Sequence, residues 1–353
     1  MRGRKDKQNL LFHTFQTEEL VPLDHPIRAI KKLADSELAR LSMKFSAAYS
    51  KDGRPSVPPE TLIKATLLQA LFSIRSERQL CEQIKYNMMF RWFLDLKPAD
   101  KVWSHSTFTK NRDRFADNGL MQAFFDGTVA RAIQEDATSD EHFSVDGTLI
   151  QAYGSTKSFR PTDEQDDDNQ DPPDSNGWAD FKGEKRSNKT HQSTTDPESR
   201  LLKKGKGKEA KLCHMGNALM ENRNSIIMGI EVNEANGYAE RDAAISMLKQ
   251  LSKRHRKRPT ALAEDAGYKG SEHTEDLKKR GVTQHIAGHK GRKPKGWKAS
   301  QKCRKKIEKI FGWMKDVGRA GRSRFVGRWK TKLYFLMTGA TYNLLRLANL
   351  GVD

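Results

Sequence analysis

Residues 142–155 read H-F-S-V-D-G-T-L-I-Q-A-Y-G-S, an apolar and β-branched run with one carboxylate, Asp146, at its centre. Phe143, Val145, Leu149 and Ile150 have the composition of a buried strand, and an acid inside one must be neutralised, hydrogen-bonded or matched to a cation. The other reading is a turn at Asp146-Gly147 between two short strands. Two later stretches favour the first. Residues 260–268, T-A-L-A-E-D-A-G-Y, are a second short apolar run ending in Asp265, and residues 301–315, Q-K-C-R-K-K-I-E-K-I-F-G-W-M-K, form an amphipathic helix carrying Glu308. Two strands and a helix then each offer a carboxylate, the hard-oxygen donor set that a pair of divalent cations takes.

The chain has 353 residues, and its 64 Lys and Arg against 45 Asp and Glu leave a formal charge of +19. A surface so positive binds polyanions by releasing condensed counterions, and nucleic acid is the default partner. No apolar run approaches the ~20 residues of a membrane span, and the N-terminus M-R-G-R-K-D-K-Q-N lacks a signal peptide's apolar core. A soluble, intracellular protein with neither membrane nor small-molecule partner is expected. Cys81, Cys213 and Cys303 are odd in number and far apart, which supports neither a disulfide framework nor a zinc site. Cys213-His214 therefore reads as structural.

Taken in order, residues 1–50 read as a lead-in, with Asp24-His25-Pro26 turning into a short helix. A break at residues 51–55 precedes a helical domain over 51–138. Pro58 and Pro59 open a helix with Leu62, Leu67, Leu71 and Ile74 at helical spacing, and Ser76 to Gln79 form a capping box that starts the next. Further helices are expected from Ser106 and over about residues 119–135. Thr107, Lys110, Asn111 and Arg114 share one helical face, which suits either a helix laid against DNA or a solvated basic surface.

Residues 139–353 change period to short strands alternating with helices. An insertion over 155–211 interrupts them. Its first part holds seven carboxylates between Asp163 and Asp174, a composition that favours disorder; a calcium loop lacks the required glycine and closing glutamate. Its second part, 182–211, is basic, and reads either as an arm wrapping nucleic acid or as an internal partner of the acidic run. Strands resume over 212–220 and 226–232 around a hairpin at 221–224, followed by a helix over 239–254, a strand ending at Asp265, a helix from Ser271 to Gly281 and a strand over 282–287. This order implies an α+β fold, a mixed sheet covered by helices. The loop over 288–298, with Lys293, Lys295 and one tryptophan, suits phosphates. On the helix from Gln301, Ile307, Ile310, Phe311 and Met314 fall on one arc, and Gln301, Arg304, Glu308 and Lys315 on another, so one side packs and the other faces a ligand. An apolar helix over 333–350 closes the chain, with Tyr334, Met337, Tyr342 and Leu345 expected to cover the sheet or a partner subunit.

These motifs, L-V-P-L-D-H-P-I-R, F-S-V-D-G-T-L-I, A-E-D-A-G-Y and R-K-K-I-E-K-I-F-G-W-M-K, give the chain a likeness over nearly its whole length. It resembles the DDE transposases encoded by bacterial insertion sequences, whose catalytic domain has a ribonuclease H-like fold. The last motif is the most specific: the family has Tyr, two residues, Arg, three residues, Glu, six residues, Lys. Arg304, Glu308 and Lys315 fit it, whereas Gln301 stands where the tyrosine is expected. The short separation of Asp265 from Glu308 leaves no room for the large β-rich insertion of some relatives. The resemblance implies an all-helical N-terminal DNA-binding domain before a ribonuclease H-like mixed β-sheet flanked by helices. It implies that Asp146, Asp265 and Glu308 are catalytic and hold two Mg²⁺ ions, for which Mn²⁺ can substitute. It also implies that Arg304 and Lys315 meet phosphates flanking the cut, with Lys110, Arg114, Lys293 and Lys295 as further DNA contacts. The partners it implies are double-stranded DNA, as element ends and as target, and a second copy of the chain in the DNA complex, in a bacterial cytoplasm. A non-catalytic DNA-binding descendant of such an enzyme, and a structure-specific nuclease of the same fold, are the alternatives.

Overall fold

Seven helices precede the first strand in the computed structural model, which describes residues 17–50, 52, 55–162, 187–203, 209–236, 239–289 and 291–352. They are α1 (Ile27–Arg40), α2 (Ser42–Ala48), α3 (Pro59–Leu71), α4 (Glu77–Tyr86), α5 (Met88–Phe93), α6 (Ser106–Asp117) and α7 (Leu120–Gln134). Pro59 opens α3, where the lost N–H has no helical partner anyway, and Ser76 caps α4 by accepting from the Gln79 N–H at 3.1 Å. From Leu62 to Ala70 nearly all of α3 is buried, so this helix is the centre of the helical region and not one face of it. Its buried Lys64 is held by Asp35, at 2.7 Å, and by Asp95.

The strands are β1 (His142–Gln151), β2 (Phe159–Pro161), β3 (His191–Ser193), β4 (Arg200–Lys203), β5 (Ala210–Glu221) and β6 (Ile227–Glu234). After them come α8 (Ala239–His255), β7 (Ala261–Glu264), α9 (Ser271–Lys279), β8 (Thr283–Ile286), α10 (Trp297–Arg304), α11 (Lys306–Asp316) and α12 (Arg328–Asn349). In the main sheet β1 lies between β5, antiparallel, and β7, parallel; β8 extends β7 in parallel, and β6 and β4 share the far edge of β5. The antiparallel half comes from a hairpin; the parallel half needs the helical crossovers α8 and α9. This is the expected α+β arrangement, a helical N-terminal region followed by a mixed sheet flanked by helices.

Three expectations change. The supposed lead-in supplies α1 and α2, whose Ile27, Ile30, Leu33, Leu38 and Phe45 are buried in the same core as the sheet. The insertion is partly built: residues 191–203 form β3 and β4, and buried Asp196 receives the Gly327 N–H and lies 3.1 Å from His214 Nε2 on β5. The acidic run from Asp163 to Asp174 lies outside the described residues. Lastly, the helix expected over 301–315 is two, α10 and α11, meeting at Lys305.

One apolar core runs from Val21 to Leu347. The last helix, α12, joins its parts, packing on α1, α3, α6 and α7 on one side and on β5 and β6 on the other. Asn343 holds it in place: its amide accepts from the Ile227 N–H at 2.9 Å and donates to the Ile227 carbonyl and to Thr128 Oγ1. Burying an amide in this way requires all its hydrogen bonds to be made at once, which fixes the helix against both layers.

Candidate active site

The β1–β7 ladder places the two aspartates. His142, Phe143 and Ser144 pair in parallel with Ala261, Leu262 and Ala263, and the same register continued two residues sets Asp265 beside Asp146. Adjacent strands lie about 4.8 Å apart, so side chains at such positions are neighbours. Asp265 stands just past the end of β7, where its Oδ1 accepts the Gly267 N–H at 2.7 Å and caps a single turn of 3₁₀ helix. Asp146 accepts the Gly147 N–H at 2.8 Å.

The third carboxylate comes from α11, seated on β1 and α12 by Ile307, Ile310, Phe311 and Met314, the arc expected to pack. This leaves Glu308 exposed, accepting no hydrogen bond from the described residues. Its charge is nevertheless felt across the site. Burial pushes the Asp146 carboxyl up to about 6, and Asp265 and Glu308 both add to the shift while Gly147 and Arg304 oppose it. Arg304 Nη1 lies 3.7 Å from Asp146 Oδ2, with both side chains less than a fifth exposed.

Gln301, where a tyrosine was expected, works on the backbone. Its amide nitrogen donates to the carbonyl of Glu264, at 3.2 Å, and to that of His285, binding α10 to the ends of β7 and β8. Arg304 Nε reaches Gln301 Oε1 at 3.4 Å. The strand end is held from below as well: fully buried Glu264 accepts from Gln284 Nε2 at 2.7 Å and lies 2.7 Å from His273 Nε2.

A fourth acid went unread in the sequence. Glu240, in the first turn of α8, has its carboxyl pushed up to about 7 by burial, with Asp146 and Asp265 adding to the shift and Arg241 opposing it. Its signal was weak because an acid in the first turn of a helix is ordinary. The one hint is Gly147, next to Asp146 in the strand: a Cβ there would stand 2.4 Å from Glu240 Oε1.

The other named cations scatter. On α6, Lys110 is exposed, but Asn111 is turned inward, accepting from Tyr49 Oη at 2.7 Å, and Arg114 lies over the Tyr49 ring at 4.2 Å with Nη1 3.1 Å from Asn111 Oδ1. The face expected to read DNA is therefore partly internal. Lys293 and Lys295 are exposed before α10, with Lys293 Nζ 4.2 Å from the Trp297 ring centre; Lys315 is half-buried at the end of α11. Cys213 and His214 are buried, as a structural pair would be, and burial lifts the Cys213 thiol to about 11. Among the described residues, no helix is long and apolar enough to cross a membrane.

Comparison with known families matches residues 15–114 to a transposase domain (DUF772) and residues 137–344 to the transposase DDE domain. No curated protein matches. Among solved structures, the piggyBac transposase synaptic complex with hairpin DNA is similar over 95% of this chain and 78% of that one, at 10% identity and a TM-score of 0.43. The Mos1 transposase paired-end complex with left transposon end is similar over 89% and 85%, at 10% identity and 0.23. The Mos1 mariner paired-end complex with Mn covers 90% and 85%, at 13% identity and 0.23.

Proposed function

Because this chain belongs to the transposase DDE domain family, which spans residues 137–344, we propose that it is an insertion-sequence transposase that binds the terminal inverted repeats of its element and performs Mg²⁺-dependent strand cleavage and strand transfer. The observation that supports this reading is geometric: Asp146, inside strand β1, lies 3.7 Å from Arg304 of the α10 motif, within reach of the charges of Asp265 and Glu308. Residues 51–138 would serve mainly to bind DNA and residues 139–353 to cut it. Two copies would hold the two ends.

Among the described residues, no three His, Cys, Asp or Glu side chains stand close enough to grip a metal ion as they lie. The donor set still fits divalent cations. All three groups are carboxylates, and Asp146 bears repulsion from the other two that Arg304 only partly offsets. Asp146, Asp265 and Glu308 would hold the ions, the exposed Glu308 swinging in from the surface of α11. Bound Mg²⁺ would activate the attacking oxygen and neutralise the leaving one.

The chain's own residues then have separable roles. Arg304 favours the ionised form of Asp146 and would offer its remaining N–H groups to a phosphate beside the scissile bond. Gln301 sets the height of α10 against the strand ends, so it positions Arg304 without touching DNA. Lys315, Lys293 and Lys295 would follow the phosphate backbone on either side, and Lys110 and Arg114 would contact DNA from the helical region. The test is to incubate the purified protein with Mg²⁺ and duplex carrying the element's ends, and to look for nicks and joined strands. Absence of divalent-dependent cleavage, with Glu308→Gln indistinguishable from wild type, would overturn the assignment.

A further inference from the structure

Beside the three acids lie two groups that the reaction as described leaves idle. The first is Glu240. It reaches across the backbone of β1 at Gly147, the one position there without a side chain in its way, and a Cβ would stand within 3 Å of its Oε1, Cδ and Cγ atoms. The second is Tyr268, in the 3₁₀ turn that Asp265 caps. Its side chain is fully buried, and its hydroxyl has no hydrogen-bond partner among the described residues. The charges that act on it are those of Glu240, Asp146, Glu264 and Asp265, with Glu240 first.

An unsatisfied buried phenol is unfavourable unless something supplies an acceptor. Here the acceptors are crowded acids that repel one another. Both problems would be relieved together if a cation drew the carboxylates in and an oxygen of Glu240 turned to the Tyr268 hydroxyl.

We propose that Glu240 is a fourth carboxylate of the divalent-cation site, acting beside Asp146, and that the Tyr268 hydroxyl donates to it and fixes its orientation. The inference rests on the transposase reading above and adds a member to its site. Glu240 enters from α8 against Gly147, while Arg304 meets Asp146 from α10, so Glu240 would set cation affinity and not phosphate position. Gly147 is then required by this approach, since any side chain there displaces Glu240.

The test titrates the full-length protein, without DNA, with Mn²⁺ alone, counting free ion by its paramagnetic resonance signal and following melting by circular dichroism. Wild type should bind Mn²⁺. Glu240→Gln should weaken the binding about tenfold or more, or remove one ion, while melting no lower than wild type in metal-free buffer. A merely structural Glu240 would instead lower the melting temperature and leave affinity alone. Tyr268→Phe should weaken binding less. Gly147→Ala, which displaces only the flexible end of Glu240, should imitate Glu240→Gln, and it decides the matter if Glu240→Gln does not fold. Asp242→Asn, exposed on the same helix, should change nothing. Wild-type affinity and stoichiometry in Glu240→Gln and Gly147→Ala, with binding lost in Asp146→Asn, would overturn this proposal and leave the transposase reading intact. A wild type that binds no Mn²⁺ would also overturn this proposal, while the transposase reading stands or falls on the cleavage assay.

Discussion

Arg304 lies 3.7 Å from Asp146, a cation from helix α10 set against a carboxylate inside strand β1. It opposes the burial and the two like charges that drive Asp146 toward its protonated form. If cutting requires ionised Asp146, removing the arginine should make the site work only at higher pH. In Arg304→Gln the acid limb of the cleavage profile, measured at fixed low Mg²⁺, should move up in pH. An unmoved limb with a uniformly lower rate would place the arginine on phosphate alone.

Stability should carry the mark of the same strain. The Asp146 carboxyl, near 3.8 when exposed, is raised to about 6 in the fold, so the folded state holds a proton that the unfolded state releases. Such a group favours folding fully below pH ~4, and the contribution is lost as pH rises through 6. Without metal, Asp146→Asn should therefore be more stable than wild type at pH 8, by about 2 to 3 kcal/mol, and the gain should vanish near pH 4. Denaturant titrations at both pH values measure it, and Mg²⁺ should narrow the gap by stabilising wild type alone.

Glu308 is exposed and bonded to nothing described, so its role in stability is small. Glu308→Gln should change unfolding free energy by no more than about 0.5 kcal/mol and leave DNA binding intact, while cleavage falls below detection. A loss of binding in step with cleavage would count against a chemical role.

Gln301 should behave in the reverse way. Its amide ties the Glu264 and His285 carbonyls to α10, and Gln301→Ala removes both ties, though Glu264 keeps the Ala287 N–H at 2.9 Å, at a cost of about 1 kcal/mol. Melting should drop and cleavage fall partly, through looser placement of Arg304. Unchanged melting would show that water replaces the amide freely.

On α6 the two cations named together should separate. Lys110→Ala should weaken DNA binding and reduce its salt dependence without touching stability. Arg114→Ala should lower stability by about 1 kcal/mol through the lost Tyr49 and Asn111 contacts. Equal effects of both on binding alone would mean that Arg114 leaves Tyr49 to reach the phosphate.

The coarse succession of a helical region and then strands alternating with helices, the capping of α4 and the buried arc of α11 were legible in the sequence. Each depends on local periodicity or on a residue type misplaced within an apolar run, and such signals survive without knowing what lies across the core. What the sequence alone could not carry was any relation between segments far apart in the chain. That Asp265, just past the end of β7, comes near Asp146 follows from the parallel ladder that ends two residues before them, and that the lead-in joins the core comes from α12 packing on both layers. Glu240 was invisible for the same reason: an acid at a helix start looks solvated until the tertiary fold brings β1 against it and removes part of the water that would have screened its charge.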